Sequence, residues 1–139
     1  MANALLAGAE DPEIRGVDAT LLSPFDCDHR RVLNADAVIL FTTENFGYMS
    51  GALKYLFERI YYPCLDHPVR NEAKPFALVI RAGLDGTRTE IAVHKITKGL
   101  KWREVQNVLL CHGDYSQQFE TKCRDLGMTM AASLENNLI

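Results

Sequence analysis

The chain has no cluster of basic residues. Lys and Arg number 15 against 18 Asp and Glu, for a formal charge of −3. A nucleic-acid footprint requires gathered cations, so that class of partner has no support. No apolar run approaches the roughly 20 residues of a membrane-spanning helix, so no membrane partner is expected. No positively charged leader opens the chain, and Glu10 and Asp11 arrive early, which argues against a secretion signal. The four cysteines, Cys27, Cys64, Cys111 and Cys123, form no Cys-x-x-Cys pair, and a reduced, cytoplasmic protein is the simplest reading. Cys64-Leu65-Asp66-His67 is at most half of a metal site, because structural zinc takes four ligands; no metal is expected. His29, His94 and His112 have no adjacent partner for nucleophilic catalysis, and no catalytic residue is assigned. Internal repeats, low-complexity stretches and linkers are also missing, so 139 residues read as one domain.

What is present is an alternation of strands and helices. A short helix is predicted over residues 1–8, ended by Pro12, then a strand over Val17–Leu22, whose residues alternate before an apolar end. A helical turn is predicted over Asp28–Asn34. Ala37–Phe41 and Phe76–Ile80 are continuous apolar runs of the kind buried in parallel sheets. After the first run, Met49, Ala52, Leu53, Leu56, Phe57 and Ile60 recur on one helical face, with Pro63 as the stop and Tyr61-Tyr62-Pro63 as a packed end. Residues 63–75 read as a polar connector. Thr87-Arg88-Thr89-Glu90 fits a capping box opening a helix that stops at Gly99. A strand over Val105–Cys111 and a helix over Ser116–Asn136 complete the pattern. The class is α/β, a parallel sheet with helices on both faces.

Two loops carry the candidate chemistry. The first, Thr42-Thr43-Glu44-Asn45-Phe46-Gly47-Tyr48-Met49, leaves an apolar strand and opens a helix, where open α/β sheets place ligands. Gly47 can take positive φ and admits close backbone approach. Phe46 and Tyr48 offer rings that can stack on a planar group, and Thr42, Thr43 and Asn45 add short hydrogen-bonding groups. The same residues also make an ordinary strand-to-helix turn with two aromatics in the core. The second loop, Arg81 to Thr87, leaves the next buried strand. Gly83 and Gly86 free its backbone, and the helix start after it leaves amides for an acceptor. Both loops should lie on one rim of the sheet, with Arg81 a solvated residue or a positive charge beside a ligand.

The wording Thr42–Lys54, Thr-Thr-Glu-Asn-Phe-Gly-Tyr-Met-Ser-Gly-Ala-Leu-Lys, resembles the second flavin-binding loop of flavodoxin-like NAD(P)H-dependent FMN oxidoreductases. The resemblance runs from about Val17 onward. It implies a flavodoxin-like sheet, with Thr42–Met49 around the isoalloxazine ring of FMN and with Ala82, Gly83, Asp85, Gly86 and Thr87 as the third flavin-contacting loop. It further implies NAD(P)H as co-substrate, electron transfer to a quinone, a flavin or a metal acceptor, and a subunit contact near Tyr61-Tyr62 in a homo-oligomer. A flavodoxin-type electron carrier, or a degenerate domain without flavin, are the alternatives. The family begins with a strand and a Ser/Thr/Gly-rich phosphate loop that have no counterpart here. The expectation is therefore an N-terminally incomplete domain carrying the ring-binding half of the site.

Overall fold

The apolar run at residues 37–41 extends into an eight-residue strand, β1 (Val38–Asn45), which turns back as β2 (Tyr48–Met49). These two pair antiparallel through Glu44↔Met49 and Asn45↔Tyr48. Along its apolar part β1 runs parallel to β3 (Pro75–Ala82), from Val38↔Phe76 to Thr43↔Arg81. The other edge of β3 takes two short parallel pieces, β4 (Arg103–Glu104) and β5 (Leu109–His112). Phe76 faces Glu104 and Val79 faces Leu109, so β3 advances three residues while its partner advances five. Val105 N–H still bonds the Phe76 carbonyl at 3.0 Å, and residues 106–108 then bulge out of the ladder, which is why the strand predicted over Val105–Cys111 is split.

The computed structural model describes residues 1–139 and divides into two compact units, Leu22–Gly113 and Met1–Leu21 with Asp114–Ile139. Helices occur as α1 (Ala2–Ala9), α2 (His29–Asn34), α3 (Gly51–Leu65), α4 (Pro68–Asn71), α5 (Thr87–Gly99) and α6 (Gln117–Glu135). None is long and apolar enough to cross a membrane.

In the larger unit, Val32 and Leu33 of α2, Leu53, Leu56, Phe57 and Ile60 of α3, and Val93 of α5 gather over Leu40, Phe76, Leu78 and Ile80. Each large apolar side chain buried this way contributes about 1.5–3 kcal/mol. Residues 76–80 of β3 are buried on both faces, as its unbroken apolar sequence requires. In the smaller unit α1 packs on α6 backbone to backbone. A Cβ on Gly8 would lie 1.9 Å from the Arg124 carbonyl oxygen, and one on Gly127 would lie 2.0 Å from that of Leu5.

Four expectations are corrected. Residues 17–22 form no strand; alternation defines faces, but a strand needs a neighbour to take its N–H and C=O groups, and the sheet provides none there. Pro63 does not stop α3, which continues to Leu65. The hydrogen bond it removes is the one to the carbonyl of Arg59, an exposed residue, so the loss falls on the solvent side. Of the tyrosines at that end, Tyr61 packs against Gly99, whereas Tyr62 is exposed. α5 ends at Gly99 as expected, but glycine is not what turns the chain there. The left-handed residue is Lys101 (φ 61), with Trp102 N–H bonded to Thr97 O and Lys101 N–H to Lys98 O, a Schellman ending. Gly99 is small because a Cβ would meet the Tyr61 hydroxyl at 2.3 Å. Finally, residues 87–90 make no capping box: the N-cap is Gly86 in left-handed geometry.

Candidate functional site

The two loops meet. β1 and β3 are adjacent and parallel, so their carboxyl ends deliver residues 42–49 and 82–87 to one rim. Glu44 joins them across 40 residues of sequence. Its carboxylate accepts the Leu84 N–H at 2.8 Å through one oxygen and the Gly86 N–H at 3.2 Å through the other.

The hairpin tip is the second distinctive feature. Phe46 (φ 53) and Gly47 (φ 72) both lie in the left-handed region, as a two-residue turn between the paired Asn45 and Tyr48 requires. Glycine suits this backbone; phenylalanine does not. Yet the Phe46 ring is fully exposed, at 108% of its reference area, and Tyr48 is 41% exposed. The turn with two aromatics in the core is therefore not what this chain builds. The left-handed backbone thus carries strain while its ring packs on nothing in the fold.

Around this tip the remaining groups sort by burial. Thr42 is buried; its hydroxyl accepts the Ser50 N–H at 3.0 Å, while Ser50 Oγ accepts the Leu53 N–H at 3.2 Å and caps α3. Met49 and Ala82 are also buried. Those three side chains hold the rim rather than face outward. Thr43 donates to Asn45 Oδ1 at 2.9 Å. On the second loop, Asp85 Oδ1 accepts the Thr87 N–H at 3.0 Å. Gly86 (φ 73) sits where a Cβ would lie 2.5 Å from Leu110 Cδ1, so packing and backbone both demand glycine. At Gly83 a Cβ would meet nothing within 4 Å; packing leaves that backbone open to an approaching ligand.

Arg81 is not a solvated residue. Its guanidinium donates to the carbonyls of Ala82, Cys111 and Gly113, the last at 2.6 Å, and ties the ends of β3 and β5. Arg88, in the first turn of α5, is exposed, and its guanidinium takes part in no side-chain hydrogen bond or ion pair. Its Cδ would lie 3.9 Å from a Cβ on Gly47, so its stem runs along the hairpin.

Two cavities lie elsewhere. One of about 490 Å³ is lined by Asp36, Arg70 and Lys74 among others, and one of about 340 Å³ by His94 and Trp102. Both are at the amino ends of the strands. A large cavity is the usual first guess for a site, but the polar groups here serve the fold. Lys74 Nζ donates to the Ala35 carbonyl that ends α2, burial pushes its ammonium pKa down, and Asp36 opposes that shift. His94 binds Glu104 at 2.9 Å beside β4. The open rim is the better candidate, because α/β sheets place ligands at the carboxyl ends of their strands.

No protein-family model matches the chain, and no curated protein matches it. Solved structures do. A flavodoxin from the domain Archaea superposes with a TM-score of 0.77 at 17% identity, over 96% of this chain and 87% of its own. The two-electron reduced flavodoxin of Megasphaera elsdenii gives 0.73 at 14% identity, over 94% and 88%. The fold is flavodoxin-like. A flavodoxin, WrbA-like protein from Agrobacterium tumefaciens gives 0.74 at 18% identity, over 97% and 87%. Within this flavodoxin-like frame the rim unites Glu44, Asn45, Phe46, Gly47, Tyr48, Gly83, Asp85, Gly86 and Thr87. Sequence reasoning missed one participant, the Leu84 amide, because a backbone donor has no side-chain signature.

Proposed function

We propose that this rim holds the ring of FMN, and that the protein is an FMN-dependent oxidoreductase carrying electrons from NAD(P)H to a quinone, a flavin or a similar acceptor. The observation that carries the reading is the exposed, left-handed Phe46 on a hairpin fastened by Glu44 to a second open loop. The residues fit a flat, polar heterocycle. Phe46 and Tyr48 supply faces for offset stacking. Gly47 and Gly83 let backbone come close, and the amides between them can donate to ring carbonyls and nitrogens. Arg88 stands beside Gly47 of the hairpin with its guanidinium unpaired. A bound flavin would supply the redox chemistry, and the chain's part is to position it and shape its electrostatics. No residue on the rim has the geometry of a general acid or base, so none is assigned to catalysis.

A flavodoxin-type electron carrier is the second reading. It is favoured by the structural neighbours, which are named as flavodoxins. Titration with FMN and riboflavin, followed by quenching of flavin fluorescence, tests the site. Anaerobic addition of NADPH to the loaded protein then separates the readings. Bleaching of the flavin within seconds supports the oxidoreductase, and a flavin that NADPH leaves oxidised supports the carrier.

A further inference from the structure

We infer that Glu44 is a positioning residue: its carboxylate clamps the loop between β3 and α5 to the β1–β2 hairpin, so that the ring-binding rim is assembled before any ligand arrives. Its functional consequence rests on the flavin reading above; its geometry does not. Glu44 sits in the paired stretch of the hairpin, opposite Met49, one residue beyond the last β1–β3 pair, Thr43↔Arg81. Its two oxygens take the Leu84 and Gly86 amides, one each. The loop has little else to hold it. Leu84 is exposed at 64%, and a Cβ at Gly83 would touch nothing. The Asp85 bond to the Thr87 amide is internal to the loop, and the Gly86 carbonyl accepts the Glu90 N–H of α5 at 3.0 Å. Gly86 is anchored by packing near Leu110, but the Gly83–Asp85 tip has the Glu44 bond to Leu84 and no apolar anchor.

A carboxylate suits this clamp because both its oxygens accept. A glutamine has one accepting oxygen, and its NH₂ would face the second N–H. The clamp also changes the part Glu44 plays at the rim. Its oxygens are engaged by the loop, so it orders the donors around the ring rather than contacting the ring itself. A rim ordered in advance avoids the ordering cost that binding would otherwise carry.

Full-length Glu44→Gln and Glu44→Ala proteins, compared with the wild type, test this. Hydrogen exchange is read at the Leu84 and Gly86 amides, riboflavin is the binding probe, and visible circular dichroism reports how the bound ring is held. Glu44→Ala should exchange both amides, and Glu44→Gln at least one of them, at least about tenfold faster while β3 amides keep their protection, and riboflavin should bind Glu44→Ala about tenfold more weakly, in line with the loss of two hydrogen bonds. The dichroism band of the saturated complex should change, and Tm should move by only a few degrees. Unchanged exchange at Leu84 and Gly86 overturns the clamp. Faster exchange with unchanged affinity and dichroism overturns the positioning role. A wild type that binds no riboflavin overturns the flavin reading and the positioning role with it, while exchange still decides the clamp.

Discussion

Replacing Phe46 by Asn should stabilise the ligand-free protein and weaken its grip on a flavin. Phe46 and Gly47, with φ of 53 and 72, form the two-residue turn. That turn type favours Asn followed by Gly, because Asn tolerates the left-handed region. A side chain with an ordinary Cβ incurs about 1–2 kcal/mol there. The Phe46 ring is fully exposed, so its removal forfeits no core packing. Asn recovers part of the strain, and the expected gain is about 0.5–1 kcal/mol, or roughly 2–4 °C in Tm for a chain of this size. Urea unfolding should show a higher midpoint with an unchanged slope. In the same protein, loss of a stacking face worth about 0.5–1.5 kcal/mol should raise the riboflavin dissociation constant between about twofold and tenfold. A lower midpoint would show that the ring packs on the fold after all. Unchanged affinity would show that it is no stacking surface. Either result refutes the reasoning.

The helix crossing and the buried thiol give two more tests. Gly127→Ala should destabilise by about 1–3 kcal/mol in thermal melts, because its Cβ would lie 2.0 Å from a backbone oxygen; the control Gly83→Ala, facing open space, should stay within about 0.5 kcal/mol. Burial pushes the Cys64 thiol from an ordinary 9.0 up to about 11. The unfolded thiol therefore loses its proton first, and this stabilising contribution is whole below pH 9 and fades as pH rises towards 11. Urea unfolding across that range should fall more steeply for wild type than for Cys64→Ala; parallel curves would show that burial does not hold the proton.

The sequence made β1, β3 and the long helices legible because their apolar periodicity is strong and local. Val38–Phe41 and Phe76–Ile80 could only be buried strands, and Leu53, Leu56, Phe57 and Ile60 could only line one helical face. The errors arose where the outcome depends on a distant partner. Residues 17–22 alternate like a strand but have no neighbour in the sheet. α5 does end at Gly99, but the glycine is small because Tyr61 lies over it, and Lys101 makes the left-handed turn. Thr87 looked like a cap until Gly86 took that place. The rim was legible as two loops after two parallel strands. The bond between them was not, since Glu44 reaches backbone amides 40 and 42 residues away. Nor could sequence foresee that Phe46 would be wholly exposed on a left-handed backbone, the observation on which the functional reading turns.

Chemical-shift mapping of riboflavin onto the amides of the full chain tests that reading most directly. Shifts should concentrate at residues 43–49 and 83–88, with the groups around Asp36 and Lys74 on the opposite rim unmoved. Shifts centred on the cavity at the amino ends of the strands, or none at millimolar riboflavin, would contradict it.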